Sequence, residues 1–223
     1  MQPYLTVPFK LSTAAWNWLQ DFLEPIAIDF QLNAPSVTAL ITLKENDIAN
    51  LQQSIAWTEI VNFMTGHGIA IIQAQLFIYK TLPQARSVIL GNPHIDTAGA
   101  NGTELTVPFR FNILARGDEQ TEMVWWEHDR TSSSVVESTF IRPDGTPIGR
   151  LQARGATLLE QWATVGEPTV RCSTLAKQQE YASFVRTDIL HALNWTGENP
   201  RVVVSIKCID ASWEDLLQHN SVF

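Results

Sequence analysis

The sequence predicts a mainly β protein with flanking helices, built as a sandwich or jelly roll with the N-terminal helices packed outside it. The first third of the chain has helical periodicity, and from Ile69 onward many short apolar stretches alternate with turn residues. Eight Trp and ten Phe residues suit strands and pocket walls. We therefore expect a single domain over residues 1–223, with a helical part at 1–67 and a jelly-roll core at 68–210.

Two helices are predicted in the first third. Ser12 or Thr13 can cap the first one, whose apolar residues fall on one face until Pro25 ends it. The second helix is predicted from about Asn46 to Thr65, followed by glycines that suit a helix end. Between them, the alternating stretch Val37–Leu43 predicts an edge strand.

The remainder of the chain is predicted to form strands and turns. A short helix is expected within the ambiguous segment Ala156–Thr164, and Pro143–Gly145 has the composition of a turn. The predicted strands cover Ile69–Tyr79 (as one strand or two), Ser87–Asp96, Leu105–Leu114, Thr121–Trp126, Ser134–Ile141, Tyr181–Thr187 and Arg201–Ile209.

Charge and composition argue against several classes of function. The formal net charge of -8 disfavours a nucleic-acid partner held through phosphate contacts. No apolar run approaches the ~20 residues that cross a bilayer, and the N-terminus lacks the pattern of a signal peptide. Only Cys172 and Cys208 occur, which is more typical of a reducing cytoplasm than of a disulfide scaffold. We therefore expect a cytoplasmic protein with no membrane partner. Its oligomeric state stays open.

The most informative stretch is Asn92–Asp96, which contains His94 and Asp96 two residues apart. In an extended strand residues i and i+2 share a face, so an imidazole and a carboxylate can reach one cation there. His191 is a candidate third ligand. Two imidazoles and one carboxylate leave part of the coordination sphere open, as in non-haem Fe(II) oxygenases. The alternative is an ordinary strand end with a solvated aspartate.

Arg201 follows His191 by ten residues and opens a predicted strand. A hairpin of that length would return the chain beside its start, so Arg201 could lie deeper in the same pocket. Arginine binds carboxylates through two parallel hydrogen bonds, each charge-assisted bond contributing roughly 1.5–3 kcal/mol. This spacing suits a small dicarboxylate that reaches both the metal and the arginine.

These motifs resemble the 2-oxoglutarate- and Fe(II)-dependent dioxygenases, which have a double-stranded β-helix fold, and especially a small bacterial and phage-associated group. The resemblance covers about Ile69 to Ile209. It depends on four motifs: Pro93–Asp96, Phe109–Ile113, Val185–His191 and Arg201–Ile206. It implies Fe(II) bound by His94, Asp96 and His191, with 2-oxoglutarate as cosubstrate and its distal carboxylate on Arg201. Many members have Ser two residues beyond that arginine, where this chain has Val203; Ser205 lies four beyond on the same strand face.

Arg110 and Asn112 share one face of a predicted strand, opposite Val107, Phe109 and Phe111. Alternation alone allows this polar face to line the pocket or to lie outside. The resemblance favours the pocket, where both residues would bind cosubstrate or substrate together with Ser205.

Four other residues compete for roles in the site. His128 lies in a superficially metal-like Glu-His-Asp sequence but has no arginine at hairpin distance. We expect His67 to cap a helix end or face solvent, and His219 to lie near a frayed terminus. Asp188 is expected to brace the loop that presents His191, through a backbone amide.

The resemblance implies an enzyme that oxidises a small-molecule or amino-acid-type substrate with O2, usually by hydroxylation, and releases succinate and CO2. A cupin-like jelly roll with another metal and no 2-oxoglutarate is one alternative, although cupins typically present His-x-His and a Glu. A non-catalytic binding jelly roll is another. Substrate identity lies beyond what the sequence indicates.

Overall fold

The computed structural model describes a molecule dominated by two facing β-sheets. The described residues are 2–33, 38–41, 45–79, 91–98, 103, 105–117, 121–141, 147–172, 180–195, 201–208 and 211–220. The predicted turn at 143–145 lies outside these ranges, as does the first part of the strand predicted over 87–96.

The first sheet has six strands, and both of its edge strands come from the N-terminal part of the chain. Its order is β1-β12-β7-β14-β3-β2, and all of its neighbouring strands are antiparallel. In that order the strands are Tyr4–Pro8, Tyr181–Arg186, Phe109–Arg116, Arg201–Cys208, Ile71–Tyr79 and Thr38–Ile41.

The second sheet also has six strands, in the order β11-β8-β13-β4-β10-β9. In that order they are Val170–Cys172, Thr121–Asp129, Ile189–Trp195, His94–Ile95, Pro147–Ala153 and Val135–Ile141. A separate two-stranded ribbon joins β5 (Thr97–Ala98) to β6 (Leu105–Thr106).

Five helices are described: α1 (Thr13–Asn33), α2 (Glu45–Gln52), α3 (Ile55–Gly66), α4 (Leu158–Val165) and α5 (Trp213–Asn220). Helices α1 and α3 cover the outer face of the first sheet, and Phe109, Phe111 and Ile113 of β7 share a core cluster with them. The predicted packing of N-terminal helices outside the sheets is confirmed. Among the described residues, no helix combines the length and apolarity that crossing a membrane requires.

The first helix extends beyond the predicted end at Pro25, so that prediction was wrong. Leu19, Leu23 and Ala27 recur every four residues across the proline and are at most 3% exposed. Proline in a helix interior costs about 3 kcal/mol because it removes one backbone hydrogen bond. Continued burial of this stripe against the sheet offsets that cost.

The second predicted helix is two helices, α2 and α3, which is a further correction. The break is at Ser54, whose backbone is extended (φ -81°, ψ 157°) and whose hydroxyl accepts from the Trp57 amide at 3.0 Å. The Ser54 hydroxyl also donates to the Leu51 carbonyl at 2.6 Å. Ser54 therefore ends one helix and begins the next.

Most predicted strands are present, and the expected edge strand is β2. The ambiguous segment 156–164 contains helix α4, which begins at the cap Thr157. The prediction missed β1, β5, β10, β11 and β13, the last of which carries His191. It also joined β6 and β7 into one strand, although residues 107–108 separate them.

Candidate metal centre

His94 and Asp96 lie where the short strand β4 ends. The Asp96 amide donates to the Thr187 carbonyl at 3.0 Å, and the Asp96 carbonyl accepts from Val107 at 2.9 Å. The Thr187 hydroxyl in turn donates to the Val107 carbonyl at 2.8 Å. The backbone amide and carbonyl of Asp96 are therefore both held by hydrogen bonds, although β4 ends at the residue before it.

His191 lies on β13, the strand beside β4, and the two histidines are direct cross-strand partners. Their ring centroids are 4.5 Å apart. One ligand atom from each of His94, Asp96 and His191 lies within 4.8 Å of the other two. The predicted convergence of two distant imidazoles with one carboxylate is confirmed as geometry.

Backbone carbonyls fix the ring orientation of both histidines. His94 Nδ1 lies 2.7 Å from the Asn92 carbonyl, and His191 Nδ1 lies 3.0 Å from the Ile189 carbonyl. A carbonyl oxygen only accepts, so each Nδ1 carries the proton and each neutral ring leaves its Nε2 unprotonated. His94 Nε2 lies 3.7 Å from Asp96 Oδ1. The free nitrogen is the atom that a metal needs.

The surroundings hold all three groups in the protonation state that binds a metal. Burial lowers the pKa of both imidazoles, and the Arg150 charge lowers them further. Burial by itself would raise the pKa of Asp96, but the charge and hydrogen bond of Arg110 and the two neighbouring histidines together outweigh it and leave that pKa well below its usual range. Two neutral imidazoles and one carboxylate are therefore present at neutral pH.

Arg110 and Asn112 of β7 face the space between the sheets, because the alternate residues of that strand pack against the helices. Arg110 is 4% exposed and donates from Nε to Asp96 Oδ2 in an ion pair, and from Nη1 to the Ser205 hydroxyl at 3.3 Å. Arg110, Asn112 and Ser205 thus line the interior. Their predicted role in cosubstrate binding stays a prediction.

Asn112 is the middle member of a row of three polar residues on three neighbouring strands, Ser183, Asn112 and Ser205, which we call the polar belt. It is the register partner of Ser183 on β12 and of Ser205 on β14. Asn112 Oδ1 and Ser183 Oγ are buried without a hydrogen-bond partner among the described residues. Ser183 was not predicted as a site residue, since only the register of β12 on β7 places it beside Asn112.

Arg201 is 7% exposed at the first position of β14 and shares a strand face with Val203 and Ser205. The predicted hairpin from His191 to Arg201 is wrong, because β13 belongs to the second sheet and β14 to the first. His191 and Arg201 thus lie on different sheets. Arg201 therefore faces the interior from the sheet opposite His191.

Arg150 of β10 was missed by the sequence prediction. The register pairs Gln152 with His94 and Leu151 with Ile95, so the next position brings Arg150 toward Asp96. Burial lowers the pKa of Arg150 to about 10, a change that the charge of Asp96 opposes, and the side chain stays protonated at neutral pH. The alternation of Arg150, Leu151 and Gln152 could have predicted a strand, but not its pairing with β4.

The competing histidines have local partners. His128 Nδ1 lies 2.9 Å from the Ser132 hydroxyl in the turn after β8, and His128 is not a member of the three-residue cluster. His67 is the C-cap of α3, with Nδ1 2.8 Å from the Phe63 carbonyl, which confirms the expected capping role. The side chain of His219 lies outside the described part of the chain.

Asp188 makes a different contact from the one predicted. Its carboxylate accepts from Arg186 Nε at 2.7 Å and from Arg186 Nη2 at 3.3 Å, where the sequence suggested a bond to a backbone amide. The ion pair lies across the turn that leads into β13. The arginine offers a charged donor fork, and this geometry suits a carboxylate better than a single amide does.

The donor set fits a divalent iron. Two imidazole nitrogens and one carboxylate oxygen are the donors of the facial arrangement that would leave the remaining coordination positions open. The side chain of His94 keeps 28% exposure and that of Asp96 12%, so the cluster is reachable from outside.

No protein-family model matches the sequence, and no curated protein is significantly similar to it. Solved structures do match in fold. The epimerase SnoN in complex with Fe3+, alpha ketoglutarate and nogalamycin RO is 14% identical, with a TM-score of 0.53 over 94% of this chain and 79% of that chain. The non-heme alpha ketoglutarate dependent carbocyclase SnoK from nogalamycin biosynthesis is 12% identical, with a TM-score of 0.53 over 99% of this chain and 86% of that one.

Identities this low establish the fold and nothing finer. Two facing sheets with helices on the outside, matched over nearly the whole chain by these enzymes, confirm the predicted class. The protein has the jelly-roll fold of the non-haem α-ketoglutarate-dependent enzymes.

Proposed function

We propose that this protein is a non-haem Fe(II)- and 2-oxoglutarate-dependent oxygenase that oxidises a small-molecule or amino-acid-type substrate, with hydroxylation as the expected outcome. The observation that carries the proposal is the convergence of His94, Asp96 and His191 inside this fold. SnoN was solved with Fe3+ and alpha ketoglutarate, which supports the same pair of cofactors here. The cytoplasmic location expected from the cysteine content stays a prediction.

His94 Nε2, His191 Nε2 and one oxygen of Asp96 would hold the iron. Iron with 2-oxoglutarate supplies the oxidising chemistry, using O2 and releasing succinate and CO2. The chain's contribution is orientation and charge. The Asn92 and Ile189 carbonyls hold the imidazoles with their Nε2 lone pairs available. No side chain is required as a general acid or base.

We assign the polar belt and Arg201 to 2-oxoglutarate. A buried guanidinium on the inner face of β14 suits the distal carboxylate, which it can bind through two parallel bonds. The Ser183 hydroxyl is buried without a hydrogen-bond partner among the described residues and can donate to a bound carboxylate. The Asn112 side chain can donate to the same carboxylate from Nδ2. Buried polar groups of this kind are usually satisfied by a ligand or by water.

The decisive test is the absorption spectrum of the protein with Fe(II) and 2-oxoglutarate under anaerobic conditions. We expect a metal-to-ligand charge-transfer band in the wild-type protein and none in His94→Ala or Asp96→Ala, because each loses a ligand atom. Both variants should also lose 2-oxoglutarate turnover, measured as succinate release. A wild-type protein without the band, or a variant that keeps its turnover, refutes the proposal.

Arg201→Ala separates this function from a cupin-like one. If Arg201 binds the distal carboxylate, the variant should retain Fe(II) affinity and need roughly 10- to 100-fold more 2-oxoglutarate to reach half of the band intensity, since a charge-assisted pair contributes about 1.5–3 kcal/mol. A cupin-like protein has no need of this arginine. An unchanged 2-oxoglutarate titration would remove Arg201 from the site.

A further inference from the structure

One oxygen of Asp96 is held by an arginine from the opposite sheet. Arg110 Nε donates to Asp96 Oδ2, while Asp96 Oδ1 lies 3.7 Å from His94 Nε2. We infer that Arg110 is a positioning residue that presents Asp96 to the metal through one oxygen only, and that cosubstrate binding is not its role. The inference rests on the proposed function, because it concerns the same three ligands.

Arg110 has little freedom to move away from this contact. It lies on β7 in the interior of the first sheet and is 4% exposed. Its Nη1 donates to the Ser205 hydroxyl at 3.3 Å, and Ser205 is completely buried on the neighbouring strand β14. The guanidinium is thus held through two of its nitrogens, by Asp96 beside the second sheet and by Ser205 on the first.

Asp96 needs such a partner because of its place in the chain. It follows the two-residue strand β4, and its backbone is fixed by Thr187 and Val107, but neither contact restrains the carboxylate. A carboxylate can bind a metal through one oxygen or through both. The ion pair with Arg110 occupies Oδ2, so that this oxygen is not available to the metal, and it turns Oδ1 toward the histidines.

The number of oxygens that Asp96 uses determines how many coordination positions stay open. A metal with six coordination positions would keep three of them if each of the three residues supplied one atom, which would leave room for 2-oxoglutarate and O2. A two-oxygen Asp96 would occupy one of them. Arg110 therefore protects a coordination position that the proposed chemistry requires.

Arg110 also has a second effect, which would lower metal affinity. Its positive charge disfavours a nearby divalent cation, whereas its hydrogen bond orients the ligand. Hydrogen-bond partners of metal ligands usually raise metal affinity, and their loss typically costs 10- to 100-fold. We take orientation to be the larger effect, and the experiment below measures which one it is.

The test compares wild type with Arg110→Met, Arg110→Lys and Ser205→Ala. Anaerobic titrations measure Fe(II) affinity first, by tryptophan fluorescence, and then 2-oxoglutarate binding at saturating Fe(II), by the charge-transfer band. In Arg110→Met we expect a 10- to 100-fold loss of Fe(II) affinity and a weaker band even at saturating metal and 2-oxoglutarate. Arg110→Lys should recover part of both, and Ser205→Ala should show a smaller loss of metal affinity.

Arg171→Met is the matched control. Arg171 also forms ion pairs, with Glu122 at 3.0 Å and Glu167 at 2.9 Å, but its side chain is 45% exposed. This variant should bind Fe(II) and 2-oxoglutarate as wild type does. Thermal melting of each metal-free protein identifies variants that fail to fold; if Arg110→Met is one of them, Arg110→Lys and Ser205→Ala decide the question.

Three results would overturn the inference. Unchanged Fe(II) affinity with a raised 2-oxoglutarate requirement in Arg110→Met would make Arg110 a cosubstrate residue. Tighter Fe(II) binding would show that charge repulsion dominates. Wild-type values in folded Arg110→Lys and Ser205→Ala would show that the contact has no positioning role. A wild-type protein that binds neither Fe(II) nor 2-oxoglutarate would instead refute the proposed function.

Discussion

At the scale of single residues, the site depends on two imidazoles held neutral. His191 is 4% exposed, and its Nδ1 proton is bound to the Ile189 carbonyl. Its charged form would have to be accommodated near the cations Arg110 and Arg150, both of which lower its pKa in addition to burial. The same features that free Nε2 for a metal therefore make protonation unfavourable in the folded protein.

This arrangement predicts that the metal-free protein loses stability in mild acid. The histidine pKa values are lowered from 6.5 in the folded state. As pH falls below about 6.5, the unfolded chain takes up protons that the folded chain does not, so the free energy of unfolding decreases. Urea unfolding of the metal-free protein between pH 7.5 and 5.5 should show this decline.

The double variant His94→Gln/His191→Gln is the control for that experiment, because glutamine does not titrate. Its stability should fall less over the same pH interval. Parallel curves for wild type and double variant would mean that other groups cause the decline.

At the scale of elements, capping residues decide where helices begin. The Ser54 hydroxyl accepts from Trp57 and donates to Leu51, and Ser54 is 5% exposed. Thr157 caps α4 through a capping box with Glu160, but in an exposed position. The two caps therefore differ in what the loss of the hydroxyl leaves unsatisfied.

We predict that Ser54→Ala destabilises the protein more than Thr157→Ala does. Loss of an N-cap costs about 0.5–2 kcal/mol. Ser54→Ala should fall near 2 kcal/mol because the Trp57 amide and the Leu51 carbonyl lose a buried partner, and Thr157→Ala near 1 kcal/mol because water can replace the hydroxyl. Equilibrium urea unfolding measures both, and the reverse order would contradict the prediction.

At the scale of the whole molecule, the close approach of β4 to β13 brings the histidines together. Gly91 marks this approach: its amide donates to Asn194 Oδ1 at 3.3 Å, and its carbonyl accepts from Trp162 Nε1 at 2.9 Å. A Cβ at position 91 would lie 2.3 Å from the Leu193 carbonyl oxygen. The backbones at Gly91 and Leu193 approach each other so closely that a side chain at position 91 has no room.

Gly91→Ala should therefore push the two strands apart, lowering stability by about 1–3 kcal/mol and weakening Fe(II) binding at the His94 and His191 pair. Gly66→Ala is the matched control, since a Cβ there meets nothing within 4 Å. Chemical unfolding and Fe(II) titration of both variants check the prediction. Wild-type metal affinity in Gly91→Ala would show that the cluster tolerates a shift of β4.

The sequence by itself determined the fold class, most strands and the placement of His94 beside Asp96. These depend on local rules: alternation places Arg110 and Asn112 on one face of β7, and a two-residue spacing keeps His94 near Asp96. Where a local rule met a longer-range one, as at Pro25 inside α1, the local rule gave the wrong answer.

Only the tertiary structure decided which strands face each other and what each polar side chain contacts. It placed Arg201 across the interior from His191, brought β10 with Arg150 beside β4, and paired Arg110 with Asp96. The physical reason is that strand register and sheet order are set by packing between segments far apart in the chain. Periodicity within one segment carries no information about its partner.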